Sequence, residues 1–313
     1  NHRSRIHSSV LRILVTDEQY QRRSGQVMQA CRKDTIVFKG RVYIGNGNGR
    51  FYALDAKTGA LLWQFPPASN PPLVSQFTCN PSSLGIASSA TIARIRAPHH
   101  RSVNAVIFGA PDPSIELGLG SGRLFALNTE TGAVIWKSDP IASLTGLTGS
   151  TAELHEQIGY SSPLVFKGRV YIGVANHCDN PIQRGKVVAV RLNTGVIDGT
   201  FSFFGSGPPR GGGVWSSVAG FDTGVYVTTG NTNIGGPEPP DNHGLSLLRL
   251  NADTGSIIWK HQPVPFELDG DPDWAAGATV MRSSCGTLVT STQKDGWTYA
   301  VMELLADSDN SFS

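Results

Sequence analysis

The hydrophobic pattern of this chain consists of short apolar runs that are separated by turn residues and recur along the sequence. In the first stretch, residues 42–45 and 51–54 form two such runs on either side of Asn46-Gly47-Asn48-Gly49. Asn and Gly tolerate positive φ, so this stretch predicts a strand, a tight turn and a second strand. Because strands and turns account for the recurring stretches, we expect helices to be nearly absent.

One longer phrase occurs four times, and three of its copies end on a tryptophan. The copies span residues 41–63, 123–136, 186–198 and 245–259, with a Thr-Gly step at Gly59, Gly132, Gly195 and Gly255. The turn before each step suits a type I turn closed by a left-handed glycine, with the Asp55 side chain accepting from turn amides in the first copy. Short antiparallel strands in tandem units of about 60 residues predict an all-β fold made of β-propeller blades.

The tryptophans at the ends of the copies have a predicted role of their own. Trp63, Trp136 and Trp259 each stand four residues after the turn glycine. A ring of this size can cover the seam between two blades while its N–H donates to a backbone carbonyl. The third copy has Gly199 at this position, which predicts a weaker seam. The competing interpretation is an ordinary core tryptophan in an unrelated β-sandwich.

The repeats define the predicted domain organisation. The phrase VFKGRVYIG occurs twice, at residues 37–45 and 165–173, and a fifth copy at 287–301 stops before its Thr-Gly step. We therefore predict one β-propeller domain over residues 36–302 with about five four-stranded blades, followed by a tail at 303–313. Residues 1–35 and 66–103 show no repeat and are not assigned.

Composition excludes several classes of protein. The 313 residues carry 36 Gly and 19 Pro, only 16% are charged, and the net charge is +2 without a basic stripe outside the first 35 residues. A nucleic-acid-binding surface is therefore not indicated. No window reaches the roughly 18 apolar residues of a transmembrane segment, and no signal-peptide pattern begins the chain. The four cysteines are far apart without a CxxC pair, which predicts isolated thiols. The start at Asn1 suggests a fragment or a processed piece.

The unit Ala-x-Asp-x-x-Thr-Gly-x-x-x-Trp, present as Ala53, Asp55, Thr58-Gly59 and Trp63, resembles the tryptophan-docking repeat of the pyrroloquinoline-quinone (PQQ) dehydrogenases. The resemblance covers most of residues 37–302 and is closest to the polyvinyl-alcohol-dehydrogenase-like branch over residues 158–302. It implies an oxidoreductase that oxidises a small or polymeric alcohol in the periplasm or outside the cell, with an electron-acceptor protein as a partner. Members have eight blades, so with the five predicted here either three blades are missing or the ring closes in an unusual way.

The same resemblance implies PQQ and Ca²⁺ as cofactors and points to residues that would hold them. Gly211-Gly212-Gly213 leads to Trp215, as in the family's approach to the tryptophan that stacks on the quinone, and Gly212 and Gly213 allow close backbone approach. Asn231 follows Gly230 and matches the family's amide ligand of calcium. The competing interpretations are a core tryptophan and a turn asparagine.

The remaining candidates lie near the C-terminal end and in the third copy. Asp273 matches the family's catalytic base and would also ligate the metal, with Asp271 as the alternative base, and Lys294 matches the cation over the quinone oxygens. A solvated Asp-rich loop and a solvated lysine are the competing interpretations. In the third copy Asp179 stands near the position of the family's glutamate ligand, and the family's adjacent-cysteine pair is absent. A transition-metal site at His177-Cys178-Asp179 is a further alternative.

Two functions of another class stay open from the sequence. Propellers with this repeat also serve as cofactor-free scaffolds or binding modules, as in the outer-membrane assembly lipoprotein. The chain could also be a non-catalytic fragment of a longer quinoprotein. Function belongs to the site and not to the fold, so the fold alone does not separate these alternatives.

Overall fold

The computed structural model describes residues 8–14, 35–76, 82–96, 101–113, 122–141, 156–157, 160–176, 185–202, 211–231, 243–264 and 271–304. Every regular element in these ranges is a β-strand, as the repeats predict. Within the same ranges, no helix is long and apolar enough to cross a membrane.

The strands form five antiparallel blades, and within each blade the strands that follow one another along the chain are neighbours. Blade 1 comprises β2 (Ile36–Phe38), β3 (Arg41–Gly45), β4 (Phe51–Asp55) and β5 (Leu61–Phe65). Blade 2 comprises β8 (Thr91–Arg96), β9 (Ser102–Pro111), β10 (Gly122–Asn128) and β11 (Val134–Lys137). Blade 3 comprises β13 (Leu164–Phe166), β14 (Arg169–Asn176), β15 (Lys186–Arg191) and β16 (Ile197–Ser202), and β12 (Glu156–Gln157) pairs with the end of β14. Blade 4 comprises β17 (Ala219–Phe221), β18 (Gly224–Thr228), β19 (Leu247–Asn251) and β20 (Ile257–His261).

The fifth blade combines the two ends of the described chain. It comprises β21 (Thr279–Ser283), β22 (Gly286–Thr292), β23 (Trp297–Leu304) and the N-terminal strand β1 (Ser8–Leu14). β1 pairs antiparallel with β23, from Ser8 opposite Glu303 to Leu14 opposite Trp297. The repeats assign no element to residues 1–35 and predict a tail from 303, whereas β1 belongs to blade 5 and β23 continues to Leu304. A two-stranded sheet of β6 (Ser75–Gln76) and β7 (Ser83–Leu84) lies outside the blades.

The turns follow the chemistry that their residues predict. The Asp55 carboxylate accepts from the backbone N–H groups of Lys57 and Thr58 at 3.0 and 2.8 Å, and Gly59 closes the turn at φ 73°. In the repeated VFKGRVYIG phrase, Lys39 and Gly40 both have positive φ, which is the conformation of a two-residue type I′ hairpin. The repeated phrases therefore encode hairpins whose backbone twist matches that of the flanking strands.

The apolar core lies between successive blades. Each of four clusters takes buried side chains from two neighbouring blades. Between blades 1 and 2, the rings of Phe51 and Phe108 stack with centroids 4.1 Å apart. Since successive side chains of a strand point to opposite faces, a strand inside the array contributes to the cluster on either side of its blade. This explains why β18, the second strand of blade 4, is buried at every position.

The docking role of the tryptophans is confirmed at two seams. The Trp63 indole N–H donates to the Thr129 carbonyl of blade 2 at 3.2 Å, and the Trp136 indole N–H donates to the Leu192 carbonyl after β15 of blade 3 at 3.0 Å. The prediction of a backbone acceptor is wrong for Trp259, whose N–H donates to the Glu303 carboxylate. Glu303 also receives hydrogen bonds from Tyr226 and Arg249, so a carboxylate supplies the acceptor at this seam.

The seam between blades 3 and 4 lacks the tryptophan, as the sequence indicates. Gly199 pairs with Ala189 at the docking position, and an added Cβ would meet nothing within 4 Å. Across this seam Arg169 forms a 2.8 Å ion pair with Asp253, and the Tyr171 hydroxyl donates to the Ala252 carbonyl at 2.7 Å. Polar contacts thus join these blades where the ring is missing, and the weaker seam stays a prediction.

His261, at the end of β20, gives the protein a predicted sensitivity to mild acid. Its ring lies 5.6 Å from that of Tyr299, and burial lowers the pKa of the imidazole. Below about pH 6.5 the unfolded chain gains a proton that the folded state resists, so stability is full above that pH and declines as the pH falls. We expect His261→Phe to reduce this decline in urea unfolding curves recorded on both sides of pH 6.5. An unchanged decline in the variant would contradict the prediction.

Candidate functional site

A glycine-rich segment places Trp215 beside the end of strand β18. The Gly212 N–H donates to the Asn231 carbonyl at 2.6 Å, and the Gly230 N–H donates to the Gly213 carbonyl at 2.8 Å. Gly212 has a φ of 75°, and a Cβ on Gly185 would lie 1.8 Å from the Gly212 carbonyl oxygen. The glycines therefore allow backbones to approach more closely than side chains would permit. Trp215 follows this segment, half-buried and away from any docking position.

A second segment brings two carboxylates to the same place. The Lys294 backbone N–H donates to the Asp273 carbonyl at 2.8 Å, and a β-bridge joins Trp274 to Gln293. Residues adjacent to a bridged pair point to the opposite face of the ladder from that pair. Asp273 and Lys294 therefore share a face, and the Lys294 Nζ lies 3.1 Å from the Asp273 Oδ2. The Asp273 side chain is 8% exposed.

Lys294 connects the two segments. Its Nζ lies 2.5 Å from the Asp271 Oδ2 and 5.4 Å from the centroid of the Trp215 ring. The Asn231 Nδ2 donates to the Asp271 Oδ1 at 2.8 Å. An ammonium over an aromatic face and between carboxylates is held by charge from three sides. The site is therefore one connected network of an indole, an amide, two carboxylates and one cation.

Lys294 and Asp271 keep their charges at neutral pH. Burial alone would lower the pKa of Lys294, but the hydrogen bonds to Asp271 and Asp273 and their charges outweigh it and raise the pKa. Burial alone would raise the pKa of Asp271, but hydrogen bonds from Lys294 and Asn231 outweigh it and lower the pKa. Lys294 is thus a cation and Asp271 an anion over the physiological range.

Gly230 forms the space that the Asp273 carboxylate occupies. A Cβ at Gly230 would lie 2.8 Å from the Asp273 Oδ1 and 3.4 Å from the Trp215 Cδ1. Contacts below 3 Å force one of the groups to move, so a side chain here would displace the carboxylate or the indole. The Gly-Asn step therefore contributes two features, the space at Gly230 and the amide at Asn231.

The donor atoms at this place fit a hard cation in part. The Asn231 Oδ1 and the Asp273 Oδ1 are both shielded from solvent. Amide and carboxylate oxygens are ligands that Ca²⁺ takes, usually about six to eight in number. Among the residues described, no group of three or more His, Cys, Asp or Glu could hold a metal ion. The described oxygens thus supply part of a coordination shell and leave the rest to other groups.

The structure brings together most of the site residues that the sequence singles out. Hydrogen bonds, an ion pair and a ring contact connect one set of residues, whose roles stay predictions: Gly212, Gly213, Trp215, Asn231, Asp273 and Lys294. Asp179 and the His177-Cys178 pair before it lie outside the described residues. The link from Asp271 to Asn231 was not predicted, since it depends on two loops meeting and not on a motif.

The fold and the site together define a tryptophan-docked β-propeller that gathers an indole, an amide, two carboxylates and a lysine in one network. A family model described as PQQ, glucose/ethanol/alcohol dehydrogenase, beta-propeller domain, matches residues 14–301. The chain belongs to this family of PQQ-dependent dehydrogenase propellers.

Individual relatives agree with the family assignment. The chain is 27% identical over 275 residues to the dehydrogenase subunit of a quinone alcohol dehydrogenase from Komagataeibacter europaeus, covering 74% of this chain and 33% of the relative. It is 27% identical over 267 residues to the quinohemoprotein alcohol dehydrogenase ADH-IIG from Pseudomonas putida, covering 74% of this chain and 32% of the relative. The chain therefore spans about one third of the length of these curated relatives.

Solved structures show the same fold. A quinohemoprotein alcohol dehydrogenase from Comamonas testosteroni superposes with a TM-score of 0.56 at 22% identity, covering 84% of this chain and 40% of the other. A europium-containing methanol dehydrogenase superposes with a TM-score of 0.58 at 18% identity, covering 85% of this chain and 48% of the other. The fold of this chain thus matches part of each of these longer chains.

Proposed function

We propose that this chain carries the alcohol-oxidising site of a quinoprotein that uses PQQ and a hard cation. The observation that carries the proposal is the meeting of Trp215, Asn231, Asp273 and Lys294 in one network. These residues come from separate segments of the chain. The family assignment supports a quinone as the cofactor of this network, and its relatives support an alcohol as the substrate.

Each group in the network has chemistry that suits a part of this reaction. Trp215 offers an aromatic face for a flat ring, and Lys294 offers a cation beside that face for the quinone oxygens. Asn231 and Asp273, with Asp179, would hold the cation, for which we propose Ca²⁺. When bound, the quinone supplies a two-electron acceptor for hydride and the cation polarises it.

The proton of the alcohol goes to a carboxylate of this chain. We assign this role to Asp273, since its side chain is buried beside Gly230 and Trp215. A buried carboxylate is shielded from water and can accept the hydroxyl proton as hydride leaves the carbon. Lys294 stays charged and holds Asp273 in place.

Substrate, location and partner follow as parts of the same proposal. The resemblance of residues 158–302 to the polyvinyl-alcohol-dehydrogenase-like branch supports a polymeric alcohol beside small ones. We propose a periplasmic or extracellular location and an electron-acceptor protein that reoxidises the cofactor. One relative is described as a dehydrogenase subunit, which supports such a partner.

The test is reconstitution of the purified chain with PQQ and Ca²⁺ or a lanthanide, since one structural neighbour is described as europium-containing. We expect cation-dependent dye reduction with primary, secondary and polymeric alcohols. We also expect PQQ to quench tryptophan fluorescence, most strongly that of Trp215, because a quinone stacked on an indole ring quenches it at contact. Trp215→Phe should remove most of this quenching, and the docking-residue variant Trp136→Phe should keep it.

Absence of quenching in the parent chain would overturn the proposal at the level of cofactor binding. Quenching without dye reduction would contradict catalysis by this chain and favour a binding role. Retention of a stable protein partner by cofactor-free chain, together with absent quenching, would favour the scaffold alternative.

A further inference from the structure

Asp271 stands between the amide and the lysine of the proposed site and touches both. We infer that Asp271 is a positioning residue that turns the Asn231 amide so that its carbonyl oxygen faces the cation, and that it restrains Lys294. This inference rests on the proposed function and adds a group to which that function gives no role. The contacts that carry it are the 2.8 Å bond from Asn231 and the 2.5 Å ion pair with Lys294.

The orientation of the amide follows from hydrogen-bond chemistry. An ionised carboxylate only accepts hydrogen bonds, so the NH₂ end of the Asn231 amide must face Asp271. The other end of the amide, Oδ1, then points away from Asp271, and this atom is shielded from solvent. A hard cation binds an amide through its oxygen and is repelled by the NH₂ group. Asp271 thus selects the rotamer of Asn231 that can act as a ligand.

The second oxygen of Asp271 acts on Lys294. A lysine side chain has four rotatable bonds, and its ammonium can occupy many positions unless partners hold it. Asp271 and Asp273 hold the ammonium from two sides, over the Trp215 ring. Asp271 therefore restrains both the neutral Asn231 amide and the positively charged Lys294 ammonium.

Asp271 and Asp273 differ in solvent exposure and in the groups that they contact. The Asp271 side chain is 59% exposed and the Asp273 side chain is 8% exposed. Each Asp271 oxygen has a donor, Nδ2 of Asn231 at Oδ1 and Nζ of Lys294 at Oδ2. An exposed carboxylate with both oxygens engaged suits support of neighbouring groups, as outer residues orient the ligands of metal sites.

The experiment measures Ca²⁺ affinity by calorimetry in the PQQ-loaded chain and in Asp271→Ala, Asp271→Asn and Asp139→Ala. Loss of an orienting partner typically weakens a metal site by about 10- to 100-fold, and we expect that loss in Asp271→Ala. Asp271→Asn keeps an oxygen that can accept from Asn231, so it should recover part of the affinity. Asp139→Ala removes the same charge from an exposed position on blade 2 and should bind as the parent does.

A spectroscopic measurement reports the amide directly. The side-chain NH₂ signal of Asn231, assigned through its loss in Asn231→Asp, should exchange slowly with water in the parent chain and faster in Asp271→Ala. An Asp271→Ala chain with parent-like affinity and exchange would overturn the inference and leave the proposed function intact. A parent chain that binds PQQ and no Ca²⁺ would overturn both the cation assignment and the inference.

Discussion

Replacing Trp136 with alanine is expected to lower the free energy of unfolding by about 3–5 kcal/mol, the usual cost of deleting a large buried aromatic side chain. Trp136 is 7% exposed and belongs to the apolar cluster between blades 2 and 3. Its removal leaves a cavity at the seam and takes the donor from the Leu192 carbonyl. Urea unfolding followed by circular dichroism measures the change.

The matched control for this variant lies on the same strand. Val134 is 47% exposed, so Val134→Ala removes apolar atoms from β11 without opening the seam. Surface substitutions of this kind usually change stability by less than about 0.5 kcal/mol. Equal destabilisation by the two variants would show that strand β11 and not the docked ring determines the cost.

Gly195, which packs against the Trp136 ring, provides an independent test of the same seam. Gly59 and Gly195 have φ values of 73° and 71°, so alanine at either position pays a similar backbone strain of about 1–2 kcal/mol. A Cβ at Gly59 meets nothing within 4 Å, whereas at Gly195 it would lie 2.5 Å from the Trp136 ring. We expect Gly195→Ala to cost about 1–3 kcal/mol more than Gly59→Ala through overpacking. This excess should vanish in a Trp136→Ala background.

The fold could be predicted where the sequence repeats local chemistry. The Thr-Gly turns and the Lys-Gly hairpins depend on residues close in sequence, so a single copy already shows their conformation. The docking tryptophans could be predicted because their position relative to the turn is constant. The carboxylate acceptor of Trp259 could not be predicted, since Glu303 lies on β23 of blade 5, 44 residues away in the sequence.

Blade 2 shows why part of the fold was not predicted. Its first strand, β8, lies within residues 66–103, which show no repeat, and its second strand, β9, begins there at Ser102. The β-branched and apolar runs at 91–95 and 103–108 indicate strands by themselves. The repeated phrase does not extend over them, because these strands keep the hydrophobic pattern of a blade without its motif.

Hydrogen bonds between the segments that precede the first strands of blades 2, 3 and 4 were not predicted, for a related reason. A Ser-Ser pair precedes the first strand of blades 2, 3 and 4, at 88–89, 161–162 and 216–217. The Ser89 N–H donates to the Ser162 Oγ at 3.1 Å, and the Ser162 N–H donates to the Ser217 Oγ at 3.4 Å. Two adjacent serines are too common to stand out in one copy, and only their recurrence at the same position gives a signal.

The sequence predicted which residues belong to the candidate site. It did not predict the contacts that connect them. Motifs pointed to Trp215, Asn231, Asp273 and Lys294 one by one, each with an ordinary turn or core interpretation beside it. The structure separates Asp273 from Asp271, because backbone pairing with residues 292–294 buries the first and leaves the second exposed. Such a difference depends on which loop pairs with the Asp-rich segment, and the sequence does not show that.

Replacing Asp273 with asparagine is expected to lower kcat of the reconstituted chain by about 10²- to 10⁴-fold, the usual contribution of a general base. Asparagine keeps the size of the side chain beside Gly230 and cannot take the alcohol proton. PQQ binding, followed through Trp215 fluorescence, should change little, because the indole face is retained. The decrease should persist at saturating Ca²⁺, since added cation does not supply a base.

Asp271→Asn in the same assay separates the two carboxylates. Because Asp271 contacts Asn231 and Lys294 and is not the buried carboxylate beside Gly230, its loss should raise the Ca²⁺ concentration needed for half-maximal rate. Saturating Ca²⁺ should then restore most of kcat, and Asp139→Asn should resemble the parent throughout. The opposite result, a cation-independent loss in Asp271→Asn and a recoverable one in Asp273→Asn, would make Asp271 the base. Exposure would then be a poor guide to role at this site, because a carboxylate that is open to water would be the one that removes the proton.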